Sequence, residues 1–329
     1  MQKAASYWEK TEGGTVVCHL CPAECRLTAG KAGICRCRFN QNGELVTNNY
    51  GELVTLALDP IEKKPLYHFY PGSQILSTGP NCCNLGCLHC QNWTISQKQA
   101  QTTYVDPDRL VATALGYGSL GVAFTYTEPM VWFEYIMEVA PLLRAKGQKV
   151  VLVTNGYINP EPFEELLKVT DALNIDLKGI TREFYLRICK GKIEPVLATI
   201  RRAAASQAHL ELTNLIIPNE NDSDADLLGI IEFVASLSDR IPIHFSAYHP
   251  DYRLDRPQTP TKTLLRAREL ANRRLKYVYL GNIMTGTGSD TTCPNCGQVV
   301  VKREGYHVQI TGLDGSRCVH CGSAVDIRR

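Results

Sequence analysis

The sequence predicts an α/β protein built on an open, partial barrel of six β/α units, with a small cysteine-rich lobe before it and a four-cysteine segment after it. Three observations carry this expectation. From Gln74 onward, short apolar strands alternate with amphipathic helices, the pattern of parallel strands joined by helical crossovers. Six such units, over about 200 residues, are too few to close an eight-stranded barrel. The fourteen cysteines gather at metal-ligand spacings near both ends and in one loop between them, with Cys189 alone apart and read as a buried structural thiol.

A chain of 329 residues has room for one barrel-sized domain with appendages, and the expected divisions are 1–72, 73–288 and 289–329. With 44% hydrophobic and 21% charged residues the composition is that of a soluble protein. Thirty-five basic against 33 acidic residues leave a formal charge of +2, which gives no electrostatic footprint for nucleic acid or an anionic membrane. There is no apolar run of about 18 residues, and Met1 to Glu9 lacks the apolar core of a signal peptide, so a cytoplasmic location is expected. In that reducing compartment the clustered cysteines read as metal ligands rather than disulfides.

In the first lobe, Cys18, Cys21, Cys25 and Cys35 are the preferred ligand set, with Cys37 as a competitor. So many thiols among glycine-rich turns suggest a small fold that relies on metal, and zinc or an iron–sulfur cluster would both fit. Leu45 to Thr47 and Leu53 to Leu58 flank the Asn48–Gly51 turn and read as a strand pair. Asp59 to Gly72 carries three prolines and four aromatic rings counting His68, and reads as a loop, either lining a substrate mouth or pinned to the barrel.

Strands are expected at Ile75–Thr78, Val122–Thr125, Val150–Thr154, Ala172–Asp176, Leu210–Ile217 and Ile243–Ala247, with Tyr277–Gly281 extending the edge. Helices are expected at Asp108–Leu115, Val131–Lys146, Glu161–Val169, Thr181–Lys190, Ala225–Leu237 and Lys262–Arg274, several of them opened by Asp or Pro. In such a barrel the chemistry lies at the carboxyl ends of the strands. Glu211 and Asn214 are candidates to face the interior there.

After the first strand, Cys83, Cys87 and Cys90 are spaced C-x3-C-x2-C on a loop too tight for helix or strand. Three such thiolates can hold three irons of a cubane cluster and leave the fourth without a protein ligand. A frame starting at Cys82 is also imaginable, but adjacent cysteines do not easily point into one cluster, which favours Cys83. In the tail, Cys293-x2-Cys296 and Cys318-x2-Cys321 form paired knuckles of the zinc-ribbon or rubredoxin type, a four-thiolate tetrahedral site for zinc or iron.

The C-x3-C-x2-C loop with His89 before its last cysteine resembles the radical S-adenosylmethionine (SAM) superfamily. Val16 to Cys25, Leu58 to Leu66, the loop ending Cys90-Gln91-Asn92, and Leu280-Gly281-Asn282 further resemble the AmmeMemoRadiSam-system radical SAM enzymes, close to the pyruvate-formate-lyase activases. The resemblance implies a [4Fe-4S] cluster on Cys83, Cys87 and Cys90, reductive cleavage of SAM to a 5′-deoxyadenosyl radical, and a low-potential donor such as ferredoxin or flavodoxin. It implies SAM contacts at Glu128, Asn155, Asp176, Lys178 and His249. The two glycines of the relatives' Gly-Gly-Glu-Pro segment are replaced here by Tyr126-Thr127 before Glu128-Pro129. The substrate is not implied, and a protein is one candidate. A glycyl-radical-enzyme activase is the enzymatic alternative, and a metal-binding interaction protein the alternative of another class.

Overall fold

The structure, a computed structural model, describes residues 1–283 and 288–329; residues 284–287, at the expected join of barrel and tail, lie outside the described residues. Its centre is an eight-stranded sheet in simple chain order. The strands are β1 (Thr55–Pro60), β2 (Gln74–Gly79), β3 (Gly121–Phe124), β4 (Lys149–Thr154), β5 (Ala172–Asp176), β6 (His209–Ile216), β7 (Ile243–Ala247) and β8 (Val278–Gly281). β2 to β8 are parallel, and β1 closes one edge antiparallel to β2. The outer face is covered by α1 (Pro107–Gly116), α2 (Phe133–Ala145), α3 (Pro160–Val169), α4 (Ile193–Ala204), α5 (Asp224–Leu237) and α6 (Thr261–Asn272). The six expected strands are joined by the expected edge strand, β8, as a seventh parallel strand, and what the sequence did not anticipate is the antiparallel β1 at the other edge.

Side-chain caps mark two of the six helix starts. The Asp106 carboxylate accepts from Arg109 N–H at 2.9 Å ahead of Pro107, and Ser223 Oγ accepts from Asp226 N–H at 3.1 Å. α4 was not among the expected helices, because Pro195 in its first turn and the preceding Lys190-Gly191-Lys192 obscure a buried stripe of Ile193, Val196, Ile200 and Ala203. Thr181–Lys190 is not a regular helix. A single α-turn, Arg182–Phe184, passes into a π-turn over Tyr185–Cys189, and Lys190 ends it at φ 60°.

The expected strand pair does not form. Glu44–Thr47 pairs with Arg38–Gln41 and with Lys3–Ala4 inside the first lobe, whereas Thr55–Pro60 leaves that lobe to become β1. The Asn48–Gly51 turn is therefore a hand-over between two sheets. Residues that alternate along a strand face opposite sides, and the inner face of the barrel is filled from below by the loop after β1. Ile61, Leu66 and Phe69 of that loop pack on Ile75, Ala123, Val151 and Ala172. The loop is a plug pinned by its rings, and Pro65 at its top also reaches the cavity described below.

Beside the plug, toward the amino-terminal ends of β6 and β7, lies a buried polar layer. Glu211, fully buried, accepts from His209 Nε2 at 2.9 Å, His244 Nε2 at 2.7 Å and His68 N–H at 2.7 Å. Glu211 faces the interior as expected, but Asn214 does not: it lies on the opposite face of β6 and donates to Leu177 O. The tail sheet, Thr291–Thr292, Val299–Glu304 and His307–Ile310, packs on Tyr277 and Tyr279 at the β8 edge. Arg303 fastens it, lying 4.3 Å from the Tyr67 ring centre, donating to Tyr67 O at 2.7 Å and approaching Glu62 at 3.5 Å with both side chains fully buried. Arg303→Met leaves Glu62 as a buried, unpaired carboxylate and is expected to cost about 3–5 kcal/mol. Denaturant unfolding should show this loss, and adding Glu62→Gln should recover most of it.

Candidate active site

The carboxyl ends of the parallel strands surround a cavity of about 340 Å³ whose wall includes Cys83, Cys87, Cys90, Asn155, Asp176 and Lys178. Four of the five expected strand-end motifs thus contribute to one space or to its immediate support. The cysteine loop begins at Gly79, where a Cβ would lie 2.0 Å from Thr125 O, so only glycine lets β2 and β3 approach this closely. Asn81 ties the loop to Ala100 through bonds of 2.8 and 3.0 Å, and the π-turn backs it, Cys189 O accepting from Gly86 N–H and Ile188 O from Leu88 N–H. Such turns recur at functional sites.

The sulfurs are met by donors. Cys83 Sγ receives Leu85 N–H at 3.4 Å and Asn155 Nδ2 at 3.6 Å, and Cys90 Sγ lies 3.1 Å from Ser96 Oγ. A hydrogen bond with Cys189, with burial, pushes the Cys87 thiol well up, and burial pushes Cys83 and Cys90 up. Thiols so shifted become thiolates against a positive centre, and the surrounding N–H groups suit that state. His89, buried in the wall, has an unpartnered Nδ1. Cys82 does not line the cavity; it sits at φ 87° and packs with Cys35 and Cys37 of the first lobe.

Glu128 is not in the cavity wall. Fully buried, its carboxylate accepts from Met130 N–H at 3.0 Å, Thr154 Oγ1 at 2.6 Å and Asn155 N–H at 2.8 Å. Its reach toward the cavity is used up, and what it holds is Asn155. The amide of Asn155 is further fixed because its Oδ1 accepts from Tyr157 N–H at 2.8 Å, which turns Nδ2 to Asn84 Oδ1 and Cys83. Gly156 follows at φ 69° with Ile175 against it.

Asp176 and Lys178, alternate residues leaving β5, both face inward and pair at 2.8 Å. Burial pulls the Lys178 ammonium down, but Asp176 and the nearby thiols of Cys87 and Cys189 outweigh it and hold the group charged. His249 stays exposed outside the cavity wall, and reaches it through Gln91, 2.9 Å from its Nε2.

Of the wall residues that escaped the sequence reading, three are tied most closely to the surrounding frame. Asn174 and Thr213 bond each other at 2.9 Å below Asp176, and Asn174 Nδ2 donates to Pro65 O, joining cavity floor to plug. Alternation was the available signal: Asn174 is two residues before Asp176 on β5, and Thr213 two residues after Glu211 on β6. Tyr126 is the third. Thr127 N–H bonds to Thr125 O at 3.1 Å around Tyr126 at φ 73°, a γ-turn of the strained hand. It is held by Asn92 Nδ2 to Tyr126 O at 2.7 Å, by its hydroxyl on Asp59 at 2.6 Å, and by the buried Lys64 ammonium 4.6 Å from its ring.

In the tail, Cys293 and Cys321 sulfurs are 3.6 Å apart and Cys296 and Cys318 sulfurs 3.7 Å. All four lie within 4.8 Å of one another, the spacing of a single tetrahedral ion. Cys18, Cys21, Cys25 and Cys35 converge on a small apolar void in the first lobe, whereas Cys37 turns away from it toward Cys82.

An uncharacterized protein of Methanocaldococcus jannaschii is 44% identical to this chain over 333 residues, covering 99% of both, and the radical SAM superfamily signature matches residues 78–234. The chain belongs to the radical SAM superfamily. The matched span runs from the end of β2 into α5 and contains the cysteine loop, Asn155, Asp176 and Lys178. Among radical SAM enzymes, the pyruvate formate-lyase-activating enzyme of Staphylococcus epidermidis is 25% identical over 182 residues, 51% of this chain and 71% of that one. A radical SAM methyltransferase from Sphaerobacter thermophilus shares the fold, with a TM-score of 0.53 at 16% identity over 70% of this chain and 71% of that one. This radical SAM chain is accordingly an enzyme, with a four-cysteine metal-binding segment at its end. Among the described residues no helix is long and apolar enough to cross a membrane.

Two outcomes are expected. Burial raises the Glu128 carboxyl to about 7, against its hydrogen bonds. The folded state then binds more protons than the unfolded one between the ordinary glutamate range and pH 7, so wild-type stability falls across that window as pH rises, by up to about 3 kcal/mol. Thermal melts of wild type against Glu128→Gln should move in favour of wild type as pH is lowered from 8 to 5.5, and a constant difference would contradict a buried, titrating Glu128. Chelating the metal of the four-cysteine tail should, because binding energy there is folding energy, abolish amide-exchange protection over residues 293–322 and leave β3 to β6 protected.

Proposed function

We propose that Cys83, Cys87 and Cys90 hold a [4Fe-4S] cluster and that Asn155, Asp176 and Lys178 form the polar wall against which SAM binds. The single observation that carries this reading is their convergence on one cavity at the carboxyl ends of β2, β4 and β5. When bound, the cluster supplies one electron to the sulfonium of SAM, whose bond to the nucleoside breaks to give methionine and a 5′-deoxyadenosyl radical. The chain's own part is to orient and to exclude water. Asn155 directs an amide N–H at the Cys83 sulfur, Lys178 offers a fixed positive charge to a carboxylate, and Asp176 offers an acceptor to ribose hydroxyls.

In this reading Glu128 is a positioning residue acting through Asn155, and His249 acts at the rim through Gln91. The γ-turn at Tyr126 presents backbone groups at the place of the missing glycines, in line with a contact to the SAM ammonium. The tail binds one structural ion, with zinc as the default. With all fourteen cysteines free, the reducing cytoplasm is the fitting compartment. A low-potential donor of the ferredoxin or flavodoxin class supplies the electron. The substrate is open; the 25% identity to activating enzymes favours, as a second reading, hydrogen abstraction from a partner protein's glycine.

Anaerobic reconstitution followed by assay of 5′-deoxyadenosine tests the main reading. Replacing Cys83, Cys87 and Cys90 together with alanine should abolish SAM cleavage, and survival of cleavage would sink it. Lys178→Met removes a charge-assisted contact of about 1.5–3 kcal/mol and should weaken SAM binding by roughly 10- to 100-fold without loss of iron. Unchanged affinity would reduce Asp176–Lys178 to a structural ion pair. A glycyl radical signal on an added glycyl-radical enzyme would select the second reading.

A further inference from the structure

We infer that the first lobe carries a second, polynuclear iron–sulfur cluster, held by Cys18, Cys21, Cys25 and Cys35, in electron-transfer contact with the cluster at Cys83. Three features of the void point to it, the first being spacing. A single tetrahedral ion, with metal–sulfur bonds of about 2.3 Å, needs its four sulfurs about 3.8 Å apart. The tail cysteines meet this, but among the described residues no other group of three or more thiols, imidazoles or carboxylates lies within 4.8 Å. The first-lobe cysteines nevertheless face one common void. The loop cysteines of the radical SAM site behave the same way, lining one cavity without meeting the single-ion spacing. Ligands that bind different metal ions of one cluster are held apart in this manner.

The second feature is the donor set. Ile34 N–H points at Cys25 Sγ at 3.4 Å, and Gly33 lies so close that a Cβ there would be 3.3 Å from the same sulfur. Arg38, 1% exposed, lines the void with its guanidinium 3.8 Å from Cys18 Sγ. Its Nε is a buried donor with no acceptor in the protein, which a thiolate or an inorganic sulfide would satisfy. The remaining walls, Leu20, Leu27 and Val131 among them, are apolar and keep water out.

The third feature is connection. Cys35, a ligand, packs in one buried group with Cys37 and Cys82, and Cys82 is bonded in sequence to Cys83. Asn159 N–H and Nδ2 bond Leu20 O and His19 O, at 3.1 and 2.8 Å, and so fix the lobe to the end of β4. One electron from an external low-potential flavin or iron–sulfur donor, oxidised by one electron, would enter the first-lobe cluster. It would then pass through this contact to the cluster at Cys83, where SAM consumes it. The relay rests on the site reading of the preceding section; the first-lobe cluster does not.

The test uses the full chain reconstituted with iron and sulfide. Cys83→Ala/Cys87→Ala/Cys90→Ala leaves the lobe untouched, and should retain about four irons with matching sulfide and a reduced-state paramagnetic signal unmoved by SAM. Absence of acid-labile sulfide in this variant, whether the lobe then holds zinc or nothing, overturns the cluster. Cys18→Ala/Cys21→Ala/Cys25→Ala should keep a cluster signal that does respond to SAM; if it and the wild type do not respond, the radical SAM site reading fails while the first-lobe cluster stands on the other variant. In fully reduced wild type the two signals should broaden each other, and a spectrum equal to the sum of the two variants' spectra overturns the contact.

Discussion

The buried carboxylate of Glu128 is the constraint on which the geometry of the site depends. Three donors from two segments, Met130 N–H just after β3 and Thr154 and Asn155 at the end of β4, converge on it in a place without solvent. A carboxyl group in such a setting costs several kcal/mol unless its lone pairs are used, and here they are. The result is that two parallel strand ends cannot move independently. Asn155 is held between this anchor and the cysteine loop, so the position of Cys83 is set by a residue that touches neither the loop nor the cavity.

A partial barrel has a second problem, which is its open side and its floor. Seven parallel strands leave the inner face of the sheet without an eighth neighbour, and β1 turns back antiparallel to finish one edge. The loop after β1 then enters the space that a closed barrel would fill with its own strands' side chains. The tail sheet covers the other edge through Tyr277, Tyr279 and Arg303. The plug and the tail meet, since Arg328 N–H donates to His68 O and Tyr70 N–H to Arg328 O, each at 2.8 Å. The metal-binding tail is therefore part of the barrel's closure as well as a small unit of its own.

Much of this was legible in the chain, for identifiable reasons. Parallel strands buried on both faces are short apolar runs set between amphipathic helices, and all seven were located within a residue, the edge strand Tyr277 to Gly281 included. The cysteine loop and the tail knuckles declare themselves by spacing alone. What was not legible depends on contacts distant in sequence. Leu53 to Leu58 has the composition of a hairpin partner for Leu45 to Thr47, and only the presence of β2 decides that it joins the barrel instead. Glu128 was identified by position but not by role, because whether a carboxylate at a strand end faces the cavity or the neighbouring strand turns on one residue of register. Asn174 and Thr213 carry no motif, and alternation, from Asp176 on β5 and from Glu211 on β6, was their only signal.

Tyr126 shows how a motif can be lost in letters and kept in shape. A pair of glycines is the usual way to let a chain turn with positive φ beside a ligand, since glycine meets no steric penalty there. This chain places a tyrosine at φ 73° instead, a conformation that costs of order 1–3 kcal/mol for a residue with a side chain. The cost is offset where it arises: the ring lies against Lys64, the hydroxyl bonds Asp59, and Asn92 of the cysteine loop holds the carbonyl. Asp59 lies at the end of β1 and Lys64 in the plug that follows it, with Lys64 2% exposed and 2.9 Å from Asp59. The strained turn, the plug and the cysteine loop are thereby mutually dependent, and a change in any one is transmitted to the cavity wall through Tyr126. Glycine at this position would relieve the strain and at the same time cut the wall off from the plug, which is the physical reason a bulky residue can be retained where flexibility alone would favour none.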